Sequence, residues 1–232
     1  MAHYKGRIAE ILLEAYQNAA GILACPSEAA PKPGQYLQAH NPNDPMQVVP
    51  TSLFAAGEIA HDSSSIVRLP IAGPIPQSWQ PGTELLLRGP LSHGFSVPRL
   101  ARRFALIALD RNPGRLLPLV SQGIQQGAGI TFLHDGPSGN LPVAVEEQPL
   151  EGLAKSIQWA DYLAVDIPLD RIEDLRSIFT LRIPAALNAE ALVAAPMPCG
   201  GMAKCGVCTV RTNKGPQLPC EDGPVLKLKE LV

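Results

Sequence analysis

Residues 197–208 read MPCGGMAKCGVC, and one further cysteine follows at Cys220. Thiolates are soft metal ligands, so Cys199, Cys205, Cys208 and Cys220, spaced C-x5-C-x2-C-x11-C, form a candidate ligand set. Four thiolates suit either a tetrahedral zinc ion or an iron–sulfur cluster. A structural zinc ribbon usually has two C-x2-C knuckles, and here only Cys205 and Cys208 form one. A plant-type [2Fe–2S] loop has C-x4-C-x2-C and one distant cysteine, and this spacing differs by a single inserted residue. The glycines favour the cluster. Bridging sulfides attract backbone N–H groups, and Gly200, Gly201 and Gly206 have no side chain to hold the backbone away. The pattern thus points to [2Fe–2S] ahead of zinc, and to one-electron transfer. Cys25, alone in the apolar run GILACPSEA, reads as a small core residue.

Few other residues offer chemistry. His3, His40, His61, His93 and His134 are scattered, with no two at ligand spacing, and His93 reads as a surface-loop residue. Glu146 and Glu147 are neighbours on a polar segment that reads as solvated, not as a catalytic pair. With 17% charged residues and a net charge of −2, the chain lacks the basic face that nucleic acid or an anionic membrane would favour. No stretch approaches the ~20 apolar residues of a membrane span, and the first ten residues lack the pattern of a signal peptide. The expected location is the cytoplasm, where cysteines stay reduced and serve as ligands rather than bridges.

The elements that must position these cysteines change character near residue 100. The 24 prolines, about twice the usual ~5% share, favour short strands and turns. Over 1–100, runs such as QVV, SIVRL and ELLLRG alternate with Pro/Gly/Asn turns, which predicts an antiparallel β barrel or sandwich. GRIAEILLEAYQNAAGILA fits a helical face as well as a strand pair. From residue 101 to 197 the pattern is α/β. FALIALD is a continuous apolar strand of the parallel-sheet kind, followed by a helix over 112–127 with Asn112 as cap and Pro113 at its first position. Pro118 counts against an unkinked helix there. GITFLHD and WADYLAVDI are further strands, and DRIEDLRSIF is a second helix in which Asp170 and Glu173 have capping-box spacing. ALVAAPMP is a last strand, leading into a metal-binding tail over 198–232.

PKPGQYL, LLRGPLSHGF, MPCGGMAKCGVC and CEDGPVLKLKEL together resemble the electron-transfer subunit of dihydroorotate dehydrogenase B, a ferredoxin reductase-like flavoprotein with a C-terminal [2Fe–2S] domain. The resemblance implies a flavin-binding barrel over 1–100, which favours strands over 6–24, a nucleotide-binding-like α/β domain and a cluster domain. It implies FAD and [2Fe–2S] as cofactors. Its implied role is an electron-transfer subunit beside a catalytic dehydrogenase, not a stand-alone enzyme.

Two motifs depart from that family. Its flavin motif is Arg-Pro-x-Ser. Here Pro50, Thr51 and Ser52 are in place, but Val49 stands where the Arg would pair with pyrophosphate, leaving basic residues such as Arg68 to help. The glycine-rich turn after the first α/β strand is replaced by LDRNPGR, with one glycine, a proline without N–H and an Asp of the wrong sign. Arg111 and Arg115 read as solvated charges. The expectation is weakened flavin binding and no productive NADH binding. The alternative is a cluster relay that has lost both nucleotide sites.

Overall fold

The computed structural model describes residues 2–12, 21–61, 65–72, 74–110, 113–136, 141–179 and 183–232. Asn112 and Arg111 lie outside these residues.

The punctuated first part folds as seven antiparallel strands: β1 (His3–Ile11), β2 (Gly21–Pro26), β3 (Tyr36–His40), β4 (Thr51–Phe54), β5 (Ala60–His61), β6 (Ile66–Ile71) and β7 (Glu84–Leu91). The ambiguous stretch is therefore strand on both described sides. Strand order is β4-β3-β7-β1-β2-β6-β5. The sheet curls until Ala55 bridges Ile71, with the Ala56 N–H donating to Pro70 O (2.8 Å) and the Ala72 N–H to Phe54 O (2.9 Å). Irregular register at Ile8/Glu10 and Tyr36/Gln38 supplies local bends. Alternate residues face inward, so Ile8, Leu23, Cys25, Leu37, Leu53, Leu69 and Leu87 make the barrel core. Burial pushes the Cys25 thiol up to about 11.

The second part is a parallel sheet of β8 (Arg103–Ala108), β9 (Gly129–Leu133), β10 (Val145–Gln148), β11 (Tyr162–Pro168) and β12 (Asn188–Ala194), in the order β10-β9-β8-β11-β12. FALIAL is apolar throughout because both faces are covered. Phe104 and Leu106 pack with Leu119 and Val120 of α1 (Leu117–Gln125). Ala105 and Ile107 pack with Leu153 and Ile157 of α2 (Leu153–Trp159) and Leu175 of α3 (Ile172–Ile178).

Several local expectations need correction. Residues Pro113–Leu116 form a 3-10 turn and α1 begins only at Leu117, so Pro118 falls in its first turn, where a missing N–H costs nothing. The Asp170–Glu173 capping box does not form. Leu169–Arg171 is a 3-10 turn, α3 has no side-chain cap, and Glu173 pairs with Arg176 instead. Glu147 is not merely solvated: its carboxylate lies 2.6 Å from Nε2 of the buried His134.

The tail joins both parts. After the hairpin of β13 (Val210–Thr212) and β14 (Gly215–Gln217), β15 (Val225–Lys227) adds antiparallel to β12, and α4 (Leu228–Leu231) buries Leu228 and Leu231 in the α/β core. Tyr36, Phe54 and Leu91 of the barrel, Leu192 and Met197, and Cys208, Cys220 and Val225 of the tail form one apolar cluster. Among the described residues no helix is long and apolar enough to cross a membrane.

Candidate metal centre

The cysteine loop leaves β12 through a turn in which the Gly200 N–H donates to Met197 O (2.8 Å). Four of the next seven residues are left-handed: Gly200 (φ +66°), Gly201 (+73°), Ala203 (+55°) and Gly206 (+70°). Glycine adopts this conformation freely, whereas Ala203 bears about 1–2 kcal/mol of strain. The coiling turns backbone donors inward. The N–H groups of Lys204, Met202 and Cys205 face the sulfur of Cys199, and that of Ala203 faces the sulfur of Cys220. Led by the Lys204 N–H, these donors draw the Cys199 thiol down to about 6. Burial, followed by the neighbouring Cys208 thiol, pushes Cys220 up to about 12.

The thiols are mutual neighbours: Cys205 acts on Cys199, and both Cys208 and Cys199 act on Cys220. Cys208 and Cys220 are buried, Cys199 is half-buried and Cys205 is exposed, so one edge of the set reaches the surface. Among the described residues, no three His, Cys, Asp or Glu side chains converge closely enough to hold a single ion.

The loop is seated on the outer face of the barrel. The Tyr36 hydroxyl donates to Cys220 O (3.1 Å), and its own ionisation is opposed by burial and then by Cys220. A Cβ on Gly201 would lie 2.5 Å from Tyr36 Oη, and one on Gly200 3.2 Å from Pro50 Cγ and 3.6 Å from Arg88 Nη2. Tyr36 and Arg88 were not singled out in the sequence, although both lie in stretches that carry the family resemblance. Only pairing across strands shows that they share a face.

Of the residues expected near flavin, Pro50 lies against the cysteine loop, while Thr51 and Ser52 open β4. Ser52 Oγ accepts from Gln38 Nε2 (2.8 Å), which also approaches Met197 Sδ (3.8 Å), and Thr51 Oγ1 accepts from Gln47 Nε2 (3.3 Å). Val49 is exposed. Arg68 is not brought to this group. It lies on β6 opposite Ala60 and pairs with Glu10 at 2.5 Å. Ser52 and Arg68 run in opposite directions from the Ala55–Ile71 bridge, and six strand steps make roughly 20 Å. Pro50, Gln38, Arg88, Cys199, Gly200 and Met202 line an open cavity of about 440 Å³ beside the loop.

Arg115, expected as a solvated charge, is instead buried between two carboxylates. Its Nε lies 3.0 and 3.1 Å from the Asp166 oxygens, and its Nη2 lies 2.5 Å from Asp110 Oδ2. Burial opposes the guanidinium charge, but the two carboxylates outweigh it and hold Arg115 charged. Burial also lifts Asp166 to about 6 against the pull of Arg115. The two shifts are not reciprocal, because Asp166 is wholly withdrawn from water while the guanidinium is shared with Asp110. At neutral pH both remain charged.

No protein-family profile matches the chain, and no curated protein matches it. Solved structures do. An NADH-dependent reduced ferredoxin–NADP oxidoreductase, studied for flavin-based electron bifurcation, matches at TM-score 0.65 and 13% identity, covering 96% of this chain and 89% of that one. A ferredoxin reductase of carbazole 1,9a-dioxygenase matches at 0.56 and 12%, over 79% and 65% of the two chains. An Amycolatopsis cytochrome P450 reductase matches at 0.56 and 12%, over 83% and 68%. At such identities the likeness carries the fold alone. A curled antiparallel half-barrel followed by a doubly covered parallel sheet is the ferredoxin reductase-like fold, and this chain has it.

Proposed function

We propose that this chain is an electron-transfer subunit that holds one [2Fe–2S] cluster on Cys199, Cys205, Cys208 and Cys220. It exchanges electrons with a partner dehydrogenase of the dihydroorotate dehydrogenase class. The observation that carries this reading is the gathering of four thiols by a left-handed glycine loop whose N–H groups turn toward Cys199 and Cys220. Four thiolates are the ligand count of a [2Fe–2S] cluster, and donors toward sulfur suit its negative charge. Donors to sulfur stabilise negative charge there and set the potential. When bound, the cluster accepts and releases one electron at a time.

The protein's own residues supply the rest. Tyr36 ties Cys220 to the barrel, Gly200 and Gly201 let the loop approach Pro50 and Arg88, and burial of Cys208 and Cys220 keeps water from that side. The exposed Cys205 edge is the route to a partner. The dehydrogenase assignment rests on the sequence stretches that carry the family resemblance.

FAD is the second cofactor of this reading, placed at Pro50, Thr51 and Ser52, with no charge at Val49 to receive its pyrophosphate. That same lack, with the Ser52 and Thr51 oxygens already accepting internal hydrogen bonds, favours a second reading: a cluster relay without flavin. Iron, acid-labile sulfide and flavin are to be measured on anaerobically purified protein. Two irons and two sulfides per chain are expected, with flavin bands, released on denaturation, separating the two readings. Zinc without sulfide would reject both.

A further inference from the structure

An open α/β sheet offers a ligand crevice where its strand order reverses, outside the carboxyl ends of the two strands that part there. In this sheet the order reverses between β8 and β11: the chain passes from β8 to β9 and β10 on one side, then returns to β11 and β12 on the other. The crevice is therefore bounded by Ala108–Asp110 and Asp166–Pro168. In nucleotide-binding sheets, backbone N–H groups at a glycine-rich turn receive a pyrophosphate here.

This crevice already contains a side chain. Arg115 turns back from the 3-10 turn after β8 and meets Asp166 on β11 through both carboxylate oxygens and Asp110 through Nη2. With Arg171 and Asp135, which also line the crevice, two guanidinium groups stand against three carboxylates, a net negative charge of the same sign as a phosphate. Pro113 has no N–H, the Leu109 N–H donates to Asp166 O (2.8 Å), and the Leu109 carbonyl accepts from Arg171. Arg115 also reaches the other part of the molecule, its Cζ lying 5.9 Å from the centre of the Phe54 ring at the end of β4. A guanidinium over an aromatic face is attractive, the more so when desolvated.

We infer that the switch-point crevice is occupied by the chain's own Arg115, which clamps the α/β sheet to the barrel through Phe54, and that no pyridine nucleotide binds there. Reducing equivalents then enter and leave this protein as electrons from other redox carriers, not as hydride from NADH or NADPH. Electron entry rests on the proposed cluster, whereas the occupied crevice depends on neither the cysteines nor the flavin motif.

The full chain, as purified, is titrated with NADH and with NADPH by calorimetry and by thermal melting, with dithionite added afterwards. No saturable heat, no change in Tm and no bleaching by nucleotide are expected. Micromolar binding, or bleaching by stoichiometric nucleotide, overturns the inference. If dithionite also bleaches nothing, the electron-transfer reading fails, while heat and melting still decide the crevice. The clamp is tested by a double-mutant cycle of Arg115→Met and Phe54→Leu. A smaller Tm loss from Phe54→Leu in the Arg115→Met background is expected, and additive losses overturn the clamp. If Arg115→Met does not fold, Arg115→Lys, which keeps the charge and loses the flat guanidinium face, completes the same cycle.

Discussion

Replacing Gly201 with alanine tests whether the cysteine loop depends on its seat against the barrel. Two costs are separable. Gly201 sits at φ +73°, where any other residue loses about 1–2 kcal/mol. The new methyl would also stand 2.5 Å from Tyr36 Oη. That hydroxyl cannot easily retreat, because Tyr36 is fully buried and its ring packs 5.8 Å from that of Phe54. Moving it breaks the 3.1 Å bond to Cys220 O and leaves buried polar atoms unpaired, at about 1–3 kcal/mol. The expected loss for Gly201→Ala is therefore about 2–5 kcal/mol. Gly206→Ala is the control, since Gly206 is equally left-handed but a methyl there meets nothing nearer than Thr209 Oγ1 at 3.8 Å. It should lose only the conformational term, about 1–2 kcal/mol. Urea unfolding of the metal-free protein measures both, and the visible spectrum of loaded protein reports whether the loop still closes. In a Tyr36→Phe background, Gly201→Ala should cost no more than Gly206→Ala. Equal losses for the two glycines in the wild-type background would refute the seating.

Serine in place of Cys199, Cys205, Cys208 or Cys220 should abolish or strongly shift the cluster spectrum. Cys25→Ser should leave the spectrum intact while burying a hydroxyl in the barrel core, at about 1–3 kcal/mol of stability; a spectrum that needs Cys25 but not Cys220 would reject the ligand set. Val49→Arg, at an exposed position before β4, should tighten FAD by about tenfold or more if the pyrophosphate lies there. Unchanged affinity in equilibrium dialysis would remove that placement. Asp166, raised from 3.8 to about 6 by burial, favours the folded state when protonated, so its contribution is present below about pH 4 and lost as pH rises through about 6. The wild type should lose about 2 kcal/mol from this group between about pH 4.5 and 6.5 in urea unfolding. Asp166→Asn should flatten that slope, and an identical slope in the variant would show that another group sets it.

Much of the architecture was legible because it depends on local pattern. FALIAL is apolar at every position since helices cover both faces of β8, and no turn residue interrupts it. The Pro/Gly punctuation of the first hundred residues marks a sheet of short antiparallel strands. Gly200, Gly201 and Gly206 were expected where the backbone approaches closely, and all three are left-handed, a conformation that glycine adopts freely. α2 and β10 were missed: β10 is a four-residue edge strand, and α2 has only seven residues, too few for a clear helical period.

The misreadings share one cause. Asp170 and Glu173 have the spacing of a cap, yet a 3-10 turn takes the helix start, and spacing cannot report which turn forms. Arg115 looks like a surface charge until Asp166, 51 residues away, is brought under it by the parallel pairing of β8 with β11. Tyr36 and Cys220 are 184 residues apart, and their bond exists only because the tail packs against the outer face of the barrel. Residue type, periodicity and the spacing of cysteines and glycines are properties of neighbours along the chain, so the sequence alone determined the two kinds of sheet and the candidate ligands. Which buried charge finds a counter-charge, and which face receives the loop, depends on surfaces that meet only after both sheets have formed. Those were decided by the tertiary structure, because desolvation makes an unpaired buried group too costly to leave and so selects partners by proximity in space.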